Sequence, residues 1–382
     1  MRFQKVKEGK VEFFVPIEEK LTKKVCVFYN PVMKFDRDLS EIIISILKPK
    51  KICDCLAASG IRGLRYKSVL ENSEVVVNDR NPTATKLIEK NAKLNKLRVK
   101  IENKDANILL IENGFDFIDI DPFGSPIYFL DAAAKSIRNN GIISMTATDT
   151  APLCGTSPLT CLRRYGIRSY KVDFMKELGL RILISAIIKN FSRYDQAFNP
   201  IFSYYRMHYF RVFGRIERGC GKANKLLKQF DYLSYCPMCG FRKKGRLEQC
   251  EYCKNKIELI GPIYLNNFAS KEFCNKILKK WWEIVKEFEI KGKLIEVPRK
   301  EFEYFPNISR FIRIIKNEQG FPPYFDIHKI CKLNKKQQKK MRSLLDKLKG
   351  ERTHFTPLGI KTKKSFKEVL EGLDYELKTT FQ

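Results

Sequence analysis

Asp121-Pro122-Phe123-Gly124 sets a carboxylate, a proline carbonyl and an aromatic ring on consecutive positions. A carboxylate there can accept an N–H from a weakly nucleophilic amine and take its proton, directly or through water, as that nitrogen turns tetrahedral. The Pro122 carbonyl can accept a second hydrogen from the same nitrogen, and Phe123 offers a face for a planar ligand. The competing reading is an Asp-Pro turn that merely ends a strand. A second group is cysteine. Cys236-Pro237-Met238-Cys239 and Cys250-Glu251-Tyr252-Cys253 form two C-x2-C pairs ten residues apart. Each pair can make a tight knuckle, and four thiolates suit tetrahedral Zn2+. Four protein ligands leave no open position, so the metal is expected to be structural. Cys154 lies apart from this group and reads as packing rather than a nucleophile. His208, His328 and His354 are the three histidines of the chain, which leaves few imidazole bases.

A third group could hold a nucleotide-like ligand. Ala58-Ser59-Gly60-Ile61-Arg62-Gly63 is a G-x-G-x-x-G turn with Ala in the first place. Gly60 and Gly63 would allow close backbone approach and close packing of helix on strand. Asp79 follows Asp54 by 25 residues, at the end of the next apolar run. An acid there can accept from ribose hydroxyls, or it can cap the turn before Asn81-Pro82. No G-x-x-x-x-G-K-[ST] motif is present, so an ATP phosphate cradle is not expected. Phe28-Tyr29-Asn30-Pro31 reads equally as a packed β-turn or as a second stacking ring, with Arg37 reaching an acidic group of a cofactor.

The elements that must position these residues alternate between strand and helix. Residues 51–56, 74–78, 115–120 and 141–146 read as strands. Residues 57–63 read as a tight turn, and residues 64–70, 82–96 and 125–138 as helices, the second of them opened by Pro82. This rhythm predicts an α/β, doubly wound, mostly parallel sheet. Residues 202–212 read as a late strand or hairpin. Composition changes after Gly214, so the expectation is an α/β domain over 1–214 and a C-terminal α+β domain over 215–382. The second would contain a zinc ribbon at 236–253 and a helix over 271–288. Helices at 326–333 and 335–349 with a β-wing at 353–363 would give a winged-helix-like end over 321–382.

Charge narrows the partner. Of 382 residues, 73 are Lys or Arg and 43 Asp or Glu, a formal net charge of +30. Such a surplus favours a polyanion, and nucleic acid is the expected one. At 44% apolar and 12% aromatic, the chain can bury full cores, so disorder is not the default. No apolar run approaches the roughly 18–20 residues of a spanning helix. The first ten residues are charged and lack a signal-peptide pattern. A cytoplasmic location, reduced thiols and no membrane are expected, and nothing calls for an obligate protein partner.

The Asp-Pro-Phe run resembles the Asp/Asn-Pro-Pro-aromatic motif of methyltransferases acting on exocyclic amines of bases. Longer matches extend the likeness: Phe28-Tyr-Asn-Pro31 with Arg37-Asp38, Ser59-Gly-Ile-Arg-Gly63, Asn103–Ala106 and Asp121-Pro-Phe-Gly-Ser-Pro126. Thr146-Ala-Thr-Asp-Thr-Ala-Pro-Leu-Cys-Gly155 and Thr353-His-Phe-Thr-Pro-Leu-Gly-Ile-Lys361 follow in order. Together they resemble the tRNA (guanine(26)-N(2))-dimethyltransferase family across nearly the whole chain. The resemblance implies a class I, Rossmann-like S-adenosyl-L-methionine-dependent methyltransferase domain and tRNA as substrate. It implies Asp121 as the catalytic aspartate that accepts the amine proton, and Phe28 and Phe123 as the aromatics that hold the guanine. It assigns Arg37, Asp79, Asp105 and Ala106 to the cofactor, beside Gly60 and an arginine of the 60–65 turn. Arg62 and Arg65 both fit that last role, with Arg65 favoured. The alternatives are a methyltransferase for another RNA or DNA, and a zinc-ribbon nucleic-acid-binding protein with an inert α/β domain.

Overall fold

The computed structural model describes residues 2–17, 27–290 and 305–373. The chain opens with a hairpin, β1 (Phe3–Glu8) and β2 (Val11–Pro16), then α1 (Lys34–Leu47). The alternating region follows: β3 (Lys51–Asp54), α2 (Ile61–Val69), β4 (Glu74–Asn78), α3 (Pro82–Leu94), β5 (Lys100–Glu102), α4 (Ala106–Glu112), β6 (Phe115–Ile120), α5 (Leu130–Ser136) and β7 (Ile137–Ala147). Next come α6 (Thr150–Leu153), α7 (Pro158–Tyr165), α8 (Met175–Ser192), β8 (Gln196–Arg206) and β9 (Tyr209–Arg218).

Seven of these strands form one sheet in the order β5-β4-β3-β6-β7-β9-β8. The first five run parallel, and β9 and β8 close the edge antiparallel. This is the doubly wound class I arrangement, with its switch point between β3 and β6, where open α/β sheets bind ligands. The central strands are apolar on both faces, as Phe115, Phe117, Ile118 and Ile120 of β6 show by their burial.

The rest of the chain adds α9 (Cys220–Leu227), β10 (Phe230–Tyr235), β11 (Arg242–Lys244), β12 (Glu258–Tyr264) and α10 (Lys271–Ile290). After these come α11 (Phe305–Asn317), β13 (Phe325–Asp326), α12 (Ile327–Leu333), α13 (Met341–Lys347), β14 (Glu351–Arg352), β15 (Gly359–Lys361) and α14 (Phe366–Leu373). β11-β10-β12 and β13-β15-β14 are two small antiparallel sheets. No described helix is long and apolar enough to cross a membrane.

Several expected boundaries move. The predicted helix at 125–138 is a 3-10 turn over Pro126–Phe129 followed by α5, and β7 begins at Ile137 rather than 141. Ile137 already pairs with Phe115, and Ser136 Oγ donates to Asn113 O, which ends the helix early. The predicted helix at 335–349 shrinks to α13. Lys335 takes φ +52°, and no helix forms over the lysine run before Met341. Adjacent like charges gain nothing there from helical spacing. The late hairpin is present as β8–β9, and β9 runs on to Arg218, through the composition change at Gly214. Residues 374–382 of the expected winged-helix-like end lie outside the described residues.

α8 explains how the C-terminal part attaches. It is buried on nearly every side, as a helix wedged between two layers must be. One side lies along β8. On the other, Ser185 Oγ accepts from Tyr264 N, and Glu177 accepts from Lys361 Nζ at 2.9 Å and from Tyr324 N at 3.1 Å.

Candidate functional site

Four successive parallel strands end in acids at the carboxyl edge of the sheet: Asp54 on β3, Asp79 after β4, Asp105 after β5 and Asp121 after β6. The turn between β3 and α2 holds Gly60 at φ +77°. Gly63 packs so closely that an added Cβ would meet Val77 Cγ2 at 2.6 Å. Both glycines therefore serve the tight turn and close helix–strand packing read from the sequence. Gly63 N donates to Asp54 Oδ2 at 2.8 Å. Asp79 accepts from Ala58 N at 2.8 Å and from Asn81 N at 2.9 Å, so it braces the turn. Each carboxylate oxygen has two lone pairs, so these bonds leave room for a ribose hydroxyl. The turn role and the ligand role are compatible. Asn78 ties the neighbouring loops by donating to Cys55 O and Lys104 O and accepting from Lys104 N. Asp105 caps α4 by accepting from Asn107 N, and Ala106 is buried behind it.

Asp121 is a quarter exposed and its Oδ2 lies 2.5 Å from Arg62 Nη2. That same nitrogen reaches Asp36 Oδ2 at 2.7 Å. Arg211, fully buried, lies 2.8 Å from Asp119 Oδ2 and 3.6 Å from Asp36. Tyr66 and Tyr204 donate to Asp119 and Asp36. Asp119 Oδ1 is buried without a partner. This is a packed network of two acids, Asp36 and Asp119, and two arginines, Arg62 and Arg211, directly beneath Asp121. Burial alone would raise the Asp36 carboxyl, but Arg211 and Arg62 hold it down at about 2. Asp54 goes the other way. Burial, and then the Asp119 charge beside it, push it up to about 7.

The expected cofactor arginines are all engaged by protein acids. Arg37 makes a two-point contact with Glu8, at 2.8 and 2.6 Å, and reaches Asn30 O. Arg65 contacts Glu8, Asp38 and Glu41 at 2.6–3.0 Å. Arg62 faces Asp121 and Arg65 faces the N-terminal hairpin, so of the two only Arg62 touches the candidate catalytic acid. Phe28 and Phe123 do come together, edge to face, with ring centroids 4.5 Å apart. Phe123 is 52% exposed. Two rings sandwiching a base would stand about 7 Å apart, twice a contact distance, so a base can enter between them only if they part. The 121–124 loop is anchored to the 146–155 motif, since Gly124 N donates to Thr148 Oγ1 and Gly124 O accepts from Thr148 N. Burial pushes the Cys154 thiol up to about 12, which fits packing.

Sequence reasoning missed Glu8, Asp36, Asp119, Arg211, Tyr66 and Tyr204. Asp119 was legible in part. Asp119 and Asp121 are two apart on a strand, and Asp119 stands in register with Asp54. Glu8 carried no signal, because its partners Arg37 and Arg65 lie 29 and 57 residues away.

The cysteine quartet converges as expected. The four Sγ atoms lie within 4.8 Å of one another. Cys236 and Cys253 are 3.4 Å apart, Cys239 and Cys250 3.7 Å. A tetrahedral zinc with 2.3 Å bonds would set its sulfurs about 3.8 Å apart, so the donor set and spacing fit the ion. Gly240, at φ +85°, closes the first knuckle, and its N donates to Cys236 O.

The family model for N2,N2-dimethylguanosine tRNA methyltransferase matches residues 8–374. The chain belongs to this family. A tRNA (guanine(26)-N(2))-dimethyltransferase from Saccharolobus solfataricus is 40% identical, over 97% of this chain and 98% of that relative. A tRNA (guanine(26)-N(2)/guanine(27)-N(2))-dimethyltransferase from Aquifex aeolicus is 35% identical, over 97% and 95%. Among solved structures, Trm1 from Pyrococcus horikoshii in complex with S-adenosyl-L-methionine superposes with a TM-score of 0.84 at 30% identity. The match covers 97% of this chain and 100% of that one. The family resemblance carried by the separate motifs thus extends over the whole fold, C-terminal part included.

Proposed function

We propose that the chain methylates the exocyclic N2 of the guanine at position 26 of tRNA, with S-adenosyl-L-methionine as donor. The observation that carries this is Asp121, held by Arg62 at the carboxyl end of β6 and followed by an exposed aromatic ring. The row of acids fits the cofactor, which bears a sulfonium, an ammonium and ribose hydroxyls. Asp79 would take the ribose hydroxyls, and Asp105 with Ala106 the adenine edge. Arg37 and an arginine of the 62–65 pair would face its carboxylate. S-adenosyl-L-methionine, when bound, supplies an electrophilic methyl group. The chain's own residues do the rest. Phe123, with Phe28 displaced, stacks the extruded guanine. The Asp121 oxygen that Arg62 leaves free accepts one N2–H, and the Pro122 carbonyl accepts the other. That aims the nitrogen lone pair and lets Asp121 take up the proton N2 sheds as it gains the methyl. Arg62 keeps Asp121 ionised and fixes its orientation.

Replacing Asp121 tests these roles. Asp121→Ala should cost at least ~100-fold in turnover, with cofactor affinity much less affected. Arg62 keeps Asp36 as a partner, so the core should survive. Turnover near wild type would remove Asp121 from the mechanism.

A further inference from the structure

We propose that Arg206, Arg310 and Arg352 form a phosphate clamp that grips the tRNA backbone beside the nucleotide being modified. The inference rests on the tRNA reading above and names where that substrate is held. These side chains line a cleft of about 210 Å3 together with Phe311 and Thr353. They come from three separate elements: the end of β8, the middle of α11 and the end of β14.

The cleft differs from every buried arginine cluster among the described residues. Arg37, Arg62, Arg65, Arg181, Arg211 and Arg242 all pair with carboxylates. Among the described residues, no ion pair satisfies Arg206, Arg310 or Arg352. Arg206 instead sits over the Phe35 ring, its guanidinium carbon 3.8 Å from the centroid, with Phe311 at 5.9 Å, and Arg352 reaches only Pro357 O at 3.5 Å. Stacking fixes a guanidinium plane while leaving its N–H edge free, and that edge matches phosphate oxygens. Three such groups converging without an acid repel one another, and an anion relieves the repulsion.

The cleft is also in the right place. Ile120 at the end of β6 pairs with Met145, Ala147 pairs with Phe210, and Arg206 pairs with Tyr209. The β8–β9 tip therefore stands at the same edge of the sheet as Asp121. The floor of the cleft is continuous with the site. Phe311 packs on Tyr204, Tyr204 donates to Asp36, and Asp36 and Asp121 share Arg62.

The test is an Arg310→Gln/Arg352→Gln double variant, both residues lying at the surface. A second variant, Lys93→Gln/Arg98→Gln, removes the same charge near the amino end of β5, away from the site. tRNA affinity is measured against salt concentration, cofactor affinity by calorimetry, and the gripped phosphates by ethylation interference. The clamp predicts a tRNA affinity at least ~10-fold weaker for the first variant, a log–log salt slope shallower by about one, and cofactor affinity unchanged. It predicts that phosphates near the target guanine, whose ethylation blocks wild-type binding, lose that sensitivity. Equal losses in the second variant, or an unchanged slope and interference pattern in the first, would overturn the clamp while wild-type methylation stands. A wild-type chain that transfers no methyl to tRNA would overturn the functional reading itself.

Discussion

Asp79 accepts two backbone N–H bonds and is asked, in addition, to hold the ribose of a cofactor. A charged hydrogen bond is worth about 1.5–3 kcal/mol. Asp79→Ala should therefore weaken S-adenosyl-L-methionine binding roughly 10- to 150-fold by calorimetry, and an unchanged constant would leave it as a brace for the turn alone. Asp54 gives a pH test. Its pKa in the folded chain, about 7, exceeds the usual carboxylate value. The folded chain therefore holds this proton more tightly than the unfolded one. The stabilisation is complete below the unfolded pKa of about 4 and is lost as pH rises through about 7. An amide at this position can still accept from Gly63 N. Asp54→Asn should melt like wild type near pH 4 and above wild type at pH 8, and parallel melting curves across that range would contradict the assignment. Both acids were legible or half-legible because strand ends mark themselves in sequence. The buried partners Glu8, Asp36 and Arg211 were not, since what selects them is a charge to neutralise across the fold.

At the scale of elements, the cysteine ribbon and the elements of residues 321–373 share one core. Cys236, Cys239 and Cys250 share a core with Phe325, Ile327, Ile330, Leu344 and Val369. Asn334 Nδ2 donates to Cys239 O, and an added Cβ on Gly240 would strike Ile330 Cδ1 at 2.5 Å. The isolated protein should carry about one zinc per chain. Because metal binding and folding are coupled, chelation or Cys250→Ser should loosen residues 321–373 along with the ribbon, as read by hydrogen exchange. The sheet and its cofactor affinity should persist. Metal-free protein with full protection in both segments would contradict this. C-x2-C spacing made the ribbon visible in sequence. Its packing against α12 and α13 was not visible, because short amphipathic helices do not reveal which neighbour they cover. The same holds for the Thr353–Lys361 motif. It resembles a tRNA-side signature, yet Thr353 and His354 bond Glu318, and Lys361 is fully buried against Glu177. Its residues fasten the C-terminal part to α8.

Over the whole molecule, the net charge of +30 and a doubly wound, mostly parallel sheet were both readable from composition and rhythm. The positions of the parts were not. The fastening at Glu177 makes truncation a poor probe, because deleting residues 321–382 would strip Lys361 and Tyr324 from a buried carboxylate, leaving it Arg181 alone, and would uncover the face of α8 they pack on. Point changes on an intact chain are the sounder route. The most direct measurement of the central claim is nucleoside mass spectrometry of one defined tRNA transcript after incubation with the chain and S-adenosyl-L-methionine. The account predicts N2-methylated guanosine at position 26, abolished by placing adenosine there and reduced at least ~100-fold with Asp121→Ala. Methylation at a ring nitrogen or a ribose, or equal N2-methylation of an unstructured oligonucleotide, would contradict it.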